Sequence, residues 1–170
     1  IHPLTSVSQY SVLELDPTKR TSKVVAYDYA TAKLAGEIVN SATSALLPYF
    51  TSYNFSKDES KLLLETDSQQ IYRRSKRAQY FVYERTTKKS SLLFGAKVQE
   101  PKFSPDGSKV AFVFNRNIYI KELAFNSIVQ VTDDGSEHII NGLTDWVYEE
   151  EFGFVRAFDW NADGSALVFM

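Results

Sequence analysis

The chain contains no cysteine and only two histidines, His2 and His138. The first absence excludes disulfide frameworks, Cys-based zinc sites and thiol catalysis. The second argues against a multi-histidine metal site. No apolar run approaches the ~20 residues that a membrane-spanning helix needs. The net charge is −2 over 170 residues, so no overall positive field exists to attract nucleic acid and only a local basic patch could do so. The opening Ile1-His2-Pro3 lacks the methionine, basic segment and apolar stretch of a signal peptide, although one removed earlier would leave the same start. Together with the last residue, Met170, which falls inside an apolar run, this start leads us to expect a piece of a longer protein.

What is present is a core-forming composition, 44% hydrophobic and 24% charged, sized for one ordinary domain or part of a larger one. Helical periodicity is scarce. Runs rich in β-branched and aromatic residues recur instead, as in Lys23-Val24-Val25-Ala26-Tyr27, Gln79-Tyr80-Phe81-Val82-Tyr83 and Asn117-Ile118-Tyr119-Ile120. Val110-Ala111-Phe112-Val113-Phe114 is continuously apolar, as expected of a strand covered on both faces. The sequence predicts an all-β fold.

One phrase repeats. Phe103-Ser104-Pro105-Asp106-Gly107-Ser108-Lys109 and Trp160-Asn161-Ala162-Asp163-Gly164-Ser165 each lead into an apolar strand, and Phe55-Ser56-Lys57-Asp58-Glu59-Ser60-Lys61 is a weaker copy. Such a phrase encodes a type I turn whose glycine takes positive φ before the next strand. Glu59 stands where the other copies have glycine, which would cost about 1–2 kcal/mol if the left-handed conformation is kept. The copies begin at Phe55, Phe103 and Trp160, 48 and 57 residues apart, room for about four strands each. That period fits β-propeller blades, the alternative being unrelated hairpins that share a common turn. Blade-like units are expected at roughly 1–50, 51–100 and 101–159, with another beginning at 160–170. About three blades leave a ring unclosed, so they should form part of one.

The second interval is longer because of an insertion that contains Thr144-Asp145-Trp146-Val147-Tyr148-Glu149-Glu150-Glu151-Phe152. Thr144 or Asp145 can cap a short helix here, and acidic residues in the opening turns suit its dipole. One reading is a solvated acidic helix pinned by its aromatic residues. The other is that the aromatics hold carboxylates in a partly dry site built for a cation, for which a primary ammonium is suited. A second charged feature, Tyr72-Arg73-Arg74-Ser75-Lys76-Arg77, lacks a recognisable stacking platform for nucleic acid and reads mostly as an exposed loop or edge segment.

These residues carry a resemblance. Asp145-Trp146-Val147-Tyr148-Glu149-Glu150-Glu151-Phe152 resembles the double-glutamate motif of the dipeptidyl peptidase IV family of prolyl oligopeptidase-type serine peptidases. Tyr72-Arg73-Arg74-Ser75 is similar to that family's aromatic-Arg-His-Ser segment, with Arg74 in place of the histidine. The resemblance covers about residues 55–170. The Asp-Trp-Val-Tyr-Glu-Glu-Glu string is specific, whereas Phe-Ser-Pro-Asp-Gly occurs in many unrelated propellers.

The resemblance implies the N-terminal portion of an eight-bladed propeller from a bacterial-type member, paired with an α/β-hydrolase domain that lies outside this chain. It implies that Glu150 and Glu151 bind the free N-terminal ammonium of a peptide and that Arg73 binds a substrate carbonyl. The reaction implied is release of Xaa-Pro or Xaa-Ala dipeptides by a Ser-Asp-His triad elsewhere. It further implies a homodimer, no cofactor and a periplasmic, cell-envelope or secreted setting. No Gly-x-Ser-x-Gly elbow occurs, so no catalytic residue is assigned here, and His138 reads as a loop residue. Two alternatives stay open: a prolyl tripeptidyl peptidase of the same family, and a non-catalytic peptide-binding propeller.

Overall fold

The computed structural model describes residues 1–170 apart from Ser6 and Ala45. Four antiparallel sheets follow one another along the chain, the pattern of successive propeller blades. The first contains β1 (His2–Leu4), β2 (Gln9–Asp16), β3 (Thr21–Asp28) and β4 (Leu34–Asn40), hydrogen-bonded in chain order. The second contains β5 (Ser52–Phe55), β6 (Lys61–Gln70), β7 (Lys76–Glu84) and β8 (Lys89–Leu92). The third contains β9 (Gln99–Phe103), β10 (Lys109–Phe114), β11 (Asn117–Glu122) and β12 (Ser127–Gln130). After the helix α1 (Trp146–Phe152), β13 (Phe158–Trp160) pairs with β14 (Leu167–Phe169). The short β1, pairing His2 with Ser11, completes the four-stranded meander of the first sheet.

Residues group into two compact units, 1–67 with 80–92, and 68–79 with 93–170. In the first unit Val24, Val39, Phe50, Leu62, Leu64 and Tyr83 form a buried cluster. Two buried hydroxyls tie its elements: Ser22 Oγ accepts from the Phe50 amide at 2.8 Å, and Ser11 Oγ lies 2.9 Å from the Tyr53 hydroxyl.

In the second unit β10 is covered on both faces, as its apolar sequence demands. Ala111 and Val113 pack with Ile118, Leu143, Phe158 and Trp160. Phe112 on the other face meets Phe94 and Tyr119, with ring centroids 5.2 and 5.8 Å away. Side chains alternate across a strand, so this continuous run divides between two packing surfaces.

The repeated turns share one hydrogen-bond plan. Ser104 Oγ donates to Asp106 Oδ1 at 2.6 Å and accepts from the Lys109 amide at 2.9 Å, while the Ser108 amide donates to Asp106 Oδ1 at 3.1 Å. Ser56, Asp58, Ser60 and Lys61 repeat all three bonds in the earlier copy. In the last copy Asn161 replaces the serine, and its Oδ1 accepts from the Ala166 amide at 3.0 Å. Gly107 and Gly164 take φ of 68° and 72°, and Glu59 follows them at 59°. Glu59 thus keeps the left-handed conformation that an L residue resists.

Candidate functional site

The insertion is closed at its base before it becomes a helix. Leu143 bridges Arg156 in an antiparallel pair, and the Thr144 amide donates to the Val155 carbonyl at 2.9 Å. The segment leading in is held by Asn117, whose buried Oδ1 accepts from Thr132 Oγ1 and the Gly135 amide, each at 3.0 Å. Asp145 is the N-cap, accepting from the Tyr148 amide at 3.0 Å. Thr144, the other capping candidate, instead donates its hydroxyl to the Phe154 carbonyl. Gly153 ends the helix in the left-handed conformation, its amide donating to the Glu149 carbonyl at 3.2 Å.

The aromatic residues do not enclose this helix. Trp146 and Phe152 are 55% and 66% exposed, and Tyr148 packs against Phe152 and Phe154. The buried side chain of the helix is an acid, Glu149, at 2% exposure.

Three successive carboxylates meet three different surroundings, because a helix turns about 100° per residue. Glu149 Oε1 accepts from the Arg74 amide at 2.5 Å and the Ser75 amide at 2.8 Å. Burial pushes this carboxyl up. The Ser75 and Arg74 amides and the Arg74 charge outweigh that effect and hold it below its ordinary value. Glu150, with 19% of its side chain exposed, pairs through Oε2 with Arg73 Nε at 3.3 Å. Glu151 is exposed, and its side chain makes no hydrogen bond or ion pair among the described residues.

Arg73 lies in the tip of the β6–β7 hairpin, where the Ile71 amide donates to the Ser75 carbonyl at 2.9 Å. Its side chain is 74% exposed, and Lys76 and Arg77 fall within β7. The structure thus brings Arg73 to Glu150, with Glu151 the next residue of the helix. Sequence reasoning missed Glu149, because three adjacent glutamates differ only by where the helix turns them. Its signal was the place of an acid in the first turn after the Asp145 cap.

The Glu150 and Glu151 carboxylates and the Arg73 guanidinium sum to a charge of −1. A shallow recess of about 240 Å³ lies beside the helix, walled in part by Asp145, Tyr148, Leu143 and His138. Among the described residues no cluster of three potential metal ligands forms, and no helix is long and apolar enough to cross a membrane.

Comparison with known proteins places these features in a family. Residues 56–170 match the family model of the dipeptidyl peptidase IV N-terminal region. A probable dipeptidyl-aminopeptidase B of Chaetomium globosum is 34% identical over 120 residues, covering 68% of this chain and 13% of that protein. Mouse prolyl endopeptidase FAP is 35% identical over 126 residues, covering 71% of this chain and 16% of that protein. The crystal structure of Porphyromonas gingivalis dipeptidyl peptidase 4 superposes with a TM-score of 0.84 at 37% identity, covering 98% of this chain and 24% of that one. Tricorn protease, at 13% identity and a TM-score of 0.60 over 94% of this chain and 14% of its own, shares the fold alone. The chain thus spans under a quarter of each of these proteins. With its all-β sheets and the acidic helix set against the arginine loop, the chain belongs to the dipeptidyl peptidase IV family, within that family's N-terminal region.

Proposed function

We propose that this chain is the substrate-recognition part of a serine exopeptidase that releases Xaa-Pro or Xaa-Ala dipeptides from free N-termini. The observation that carries the reading is the meeting of Arg73 with Glu150 at 3.3 Å beside Glu151. In this reading Glu150 and Glu151 receive the substrate ammonium, whose three N–H donors match two carboxylates. Arg73 binds a substrate carbonyl, for which its planar fork of donors is suited. A triad in a hydrolase domain outside these residues performs the hydrolysis. Fixing the amine works as a ruler, because only the bond two residues along then reaches the nucleophile.

The test is hydrolysis of a free-amine Gly-Pro chromogenic substrate by the intact parent protein, beside the N-acetylated form of the same substrate. Acetylation removes both the charge and the fit. Cleavage of the free amine alone supports the amine anchor. Equal cleavage of both removes the anchor from the mechanism. Cleavage of neither overturns dipeptide release and leaves tripeptide release or non-catalytic peptide binding to be assayed.

A further inference from the structure

Nothing in the amine-anchor reading uses Glu149, yet it is the most enclosed of the three adjacent acids. Its Oε1 takes the amides of Arg74 and Ser75, two consecutive peptide groups, at 2.5 and 2.8 Å. Two donors on one oxygen fix the orientation of the backbone that immediately follows Arg73. The tip is closed from its own side as well, by the Ile71 and Tyr72 amides donating to the Ser75 carbonyl. The Arg74 guanidinium also lies near the end of the helix: a Cβ on Gly153 would stand 3.7 Å from it. Burying a carboxylate is costly unless several donors compensate, and here the compensating donors are the loop's own backbone.

We propose that Glu149 is the positioning residue of this site, clamping the hairpin tip so that Arg73 meets Glu150, and that it does not itself bind the substrate amine. The catalytic consequence rests on the amine-anchor reading, while the clamp itself does not. A residue acting through Arg73 loses its influence once Arg73 is gone, which a residue needed only for packing does not.

The experiment compares the intact parent protein with Glu149→Ala, Glu149→Gln, Arg73→Ala and the Arg73→Ala/Glu149→Ala double variant. Amide hydrogen exchange across residues 71–75 and kcat/KM on free-amine Gly-Pro substrate are both measured. The expected result is faster exchange at 71–75 in Glu149→Ala and a loss in kcat/KM of about tenfold to a hundredfold. Glu149→Gln keeps an acceptor oxygen and should retain more activity. The double variant should be no worse than Arg73→Ala alone. Unchanged exchange at 71–75, or a double variant whose loss is the product of the single losses, overturns the proposal. If Glu149→Ala does not fold, Glu149→Gln, singly and combined with Arg73→Ala, carries the same comparison. A parent protein without turnover on this substrate overturns dipeptide release instead, and the exchange measurement then decides the clamp.

Discussion

Arg73 Nε stands 3.3 Å from Glu150 Oε2, in a pair whose arginine side chain is 74% exposed. An ion pair so open to water contributes about 0–1 kcal/mol to stability. Arg73→Ala and Glu150→Gln should therefore change the unfolding free energy of the parent protein by less than about 1 kcal/mol. If the site holds a desolvated substrate ammonium, losing one carboxylate should cost about 2–5 kcal/mol of binding. Glu150→Gln and Glu151→Gln should accordingly lower kcat/KM on free-amine Gly-Pro substrate at least about 30-fold. Near-normal turnover by folded variants would remove these residues from the site.

Glu59 reverses the usual ranking of small substitutions. Its backbone is left-handed at φ 59°, and its buried carboxylate accepts from the Thr5 amide and from the Thr5 hydroxyl at 2.7 Å. Its carbonyl accepts from the Arg85 guanidinium at 2.8 Å. Alanine loses the carboxylate bonds and keeps the strain, whereas glycine loses the same bonds and relieves it. Glu59→Ala should be less stable than Glu59→Gly by about 1–2 kcal/mol in denaturant unfolding. The opposite order would show that the turn relaxes out of the left-handed region.

Gly135 is required for its lack of a side chain. A Cβ there would fall 2.6 Å from both the Arg116 carbonyl oxygen and Asn117 Nδ2. The Gly135 amide also donates to Asn117 Oδ1, so the added methyl pushes the segment off the residue that anchors it. Gly135→Ala should destabilise the parent protein by about 1–3 kcal/mol. A thermal melt indistinguishable from wild type would refute this.

The turn aspartates give the fold an acid-sensitive component. The Ser56 hydroxyl, followed by Ser60, draws the Asp58 carboxyl down to about 2. The hydroxyls of Ser104 and Ser108 lower Asp106 in the same way, and Ser165 lowers Asp163. A carboxyl lower in the folded state than in the unfolded chain adds stability that is complete above the unfolded pKa of about 4. That stability is lost as pH falls through the folded value, so these turns should weaken between about pH 4 and 2. In acid titrations of the parent protein, Asp58→Asn should unfold with a shallower dependence on pH across that window. An unchanged slope would rule out Asp58 as a contributor.

Much of the fold was legible before any coordinates. The repeated turn is written in residue types: a serine or asparagine to accept the closing amide, an aspartate to hold the next one, and a residue tolerating positive φ. Each copy follows that plan, even with Asn161 for serine and Glu59 for glycine. The apolar run at 110–114 foretold a strand covered on both faces, since water on either side would be costly. The helix start was legible too, because an aspartate before a short amphipathic run satisfies amides the helix leaves free.

Other features needed the chain to close on itself. The compensation at Glu59 depends on Thr5 and Arg85, which lie far from it in sequence. The aromatic residues of the insertion left open whether its acids would be solvated or partly dry, and in the structure Trp146 and Phe152 are exposed while Glu149 is buried. Above all, Glu149, Glu150 and Glu151 are chemically identical in sequence. By itself the sequence determined that three acids would follow a capped helix start and that a basic hairpin tip would exist. Only the tertiary structure decided that the first acid is buried against the amides of Arg74 and Ser75, that the second meets Arg73 and that the third stays exposed. The reason is geometric: the helix sets a fixed turn between neighbouring side chains, but which neighbour is buried depends on where the distant hairpin tip packs.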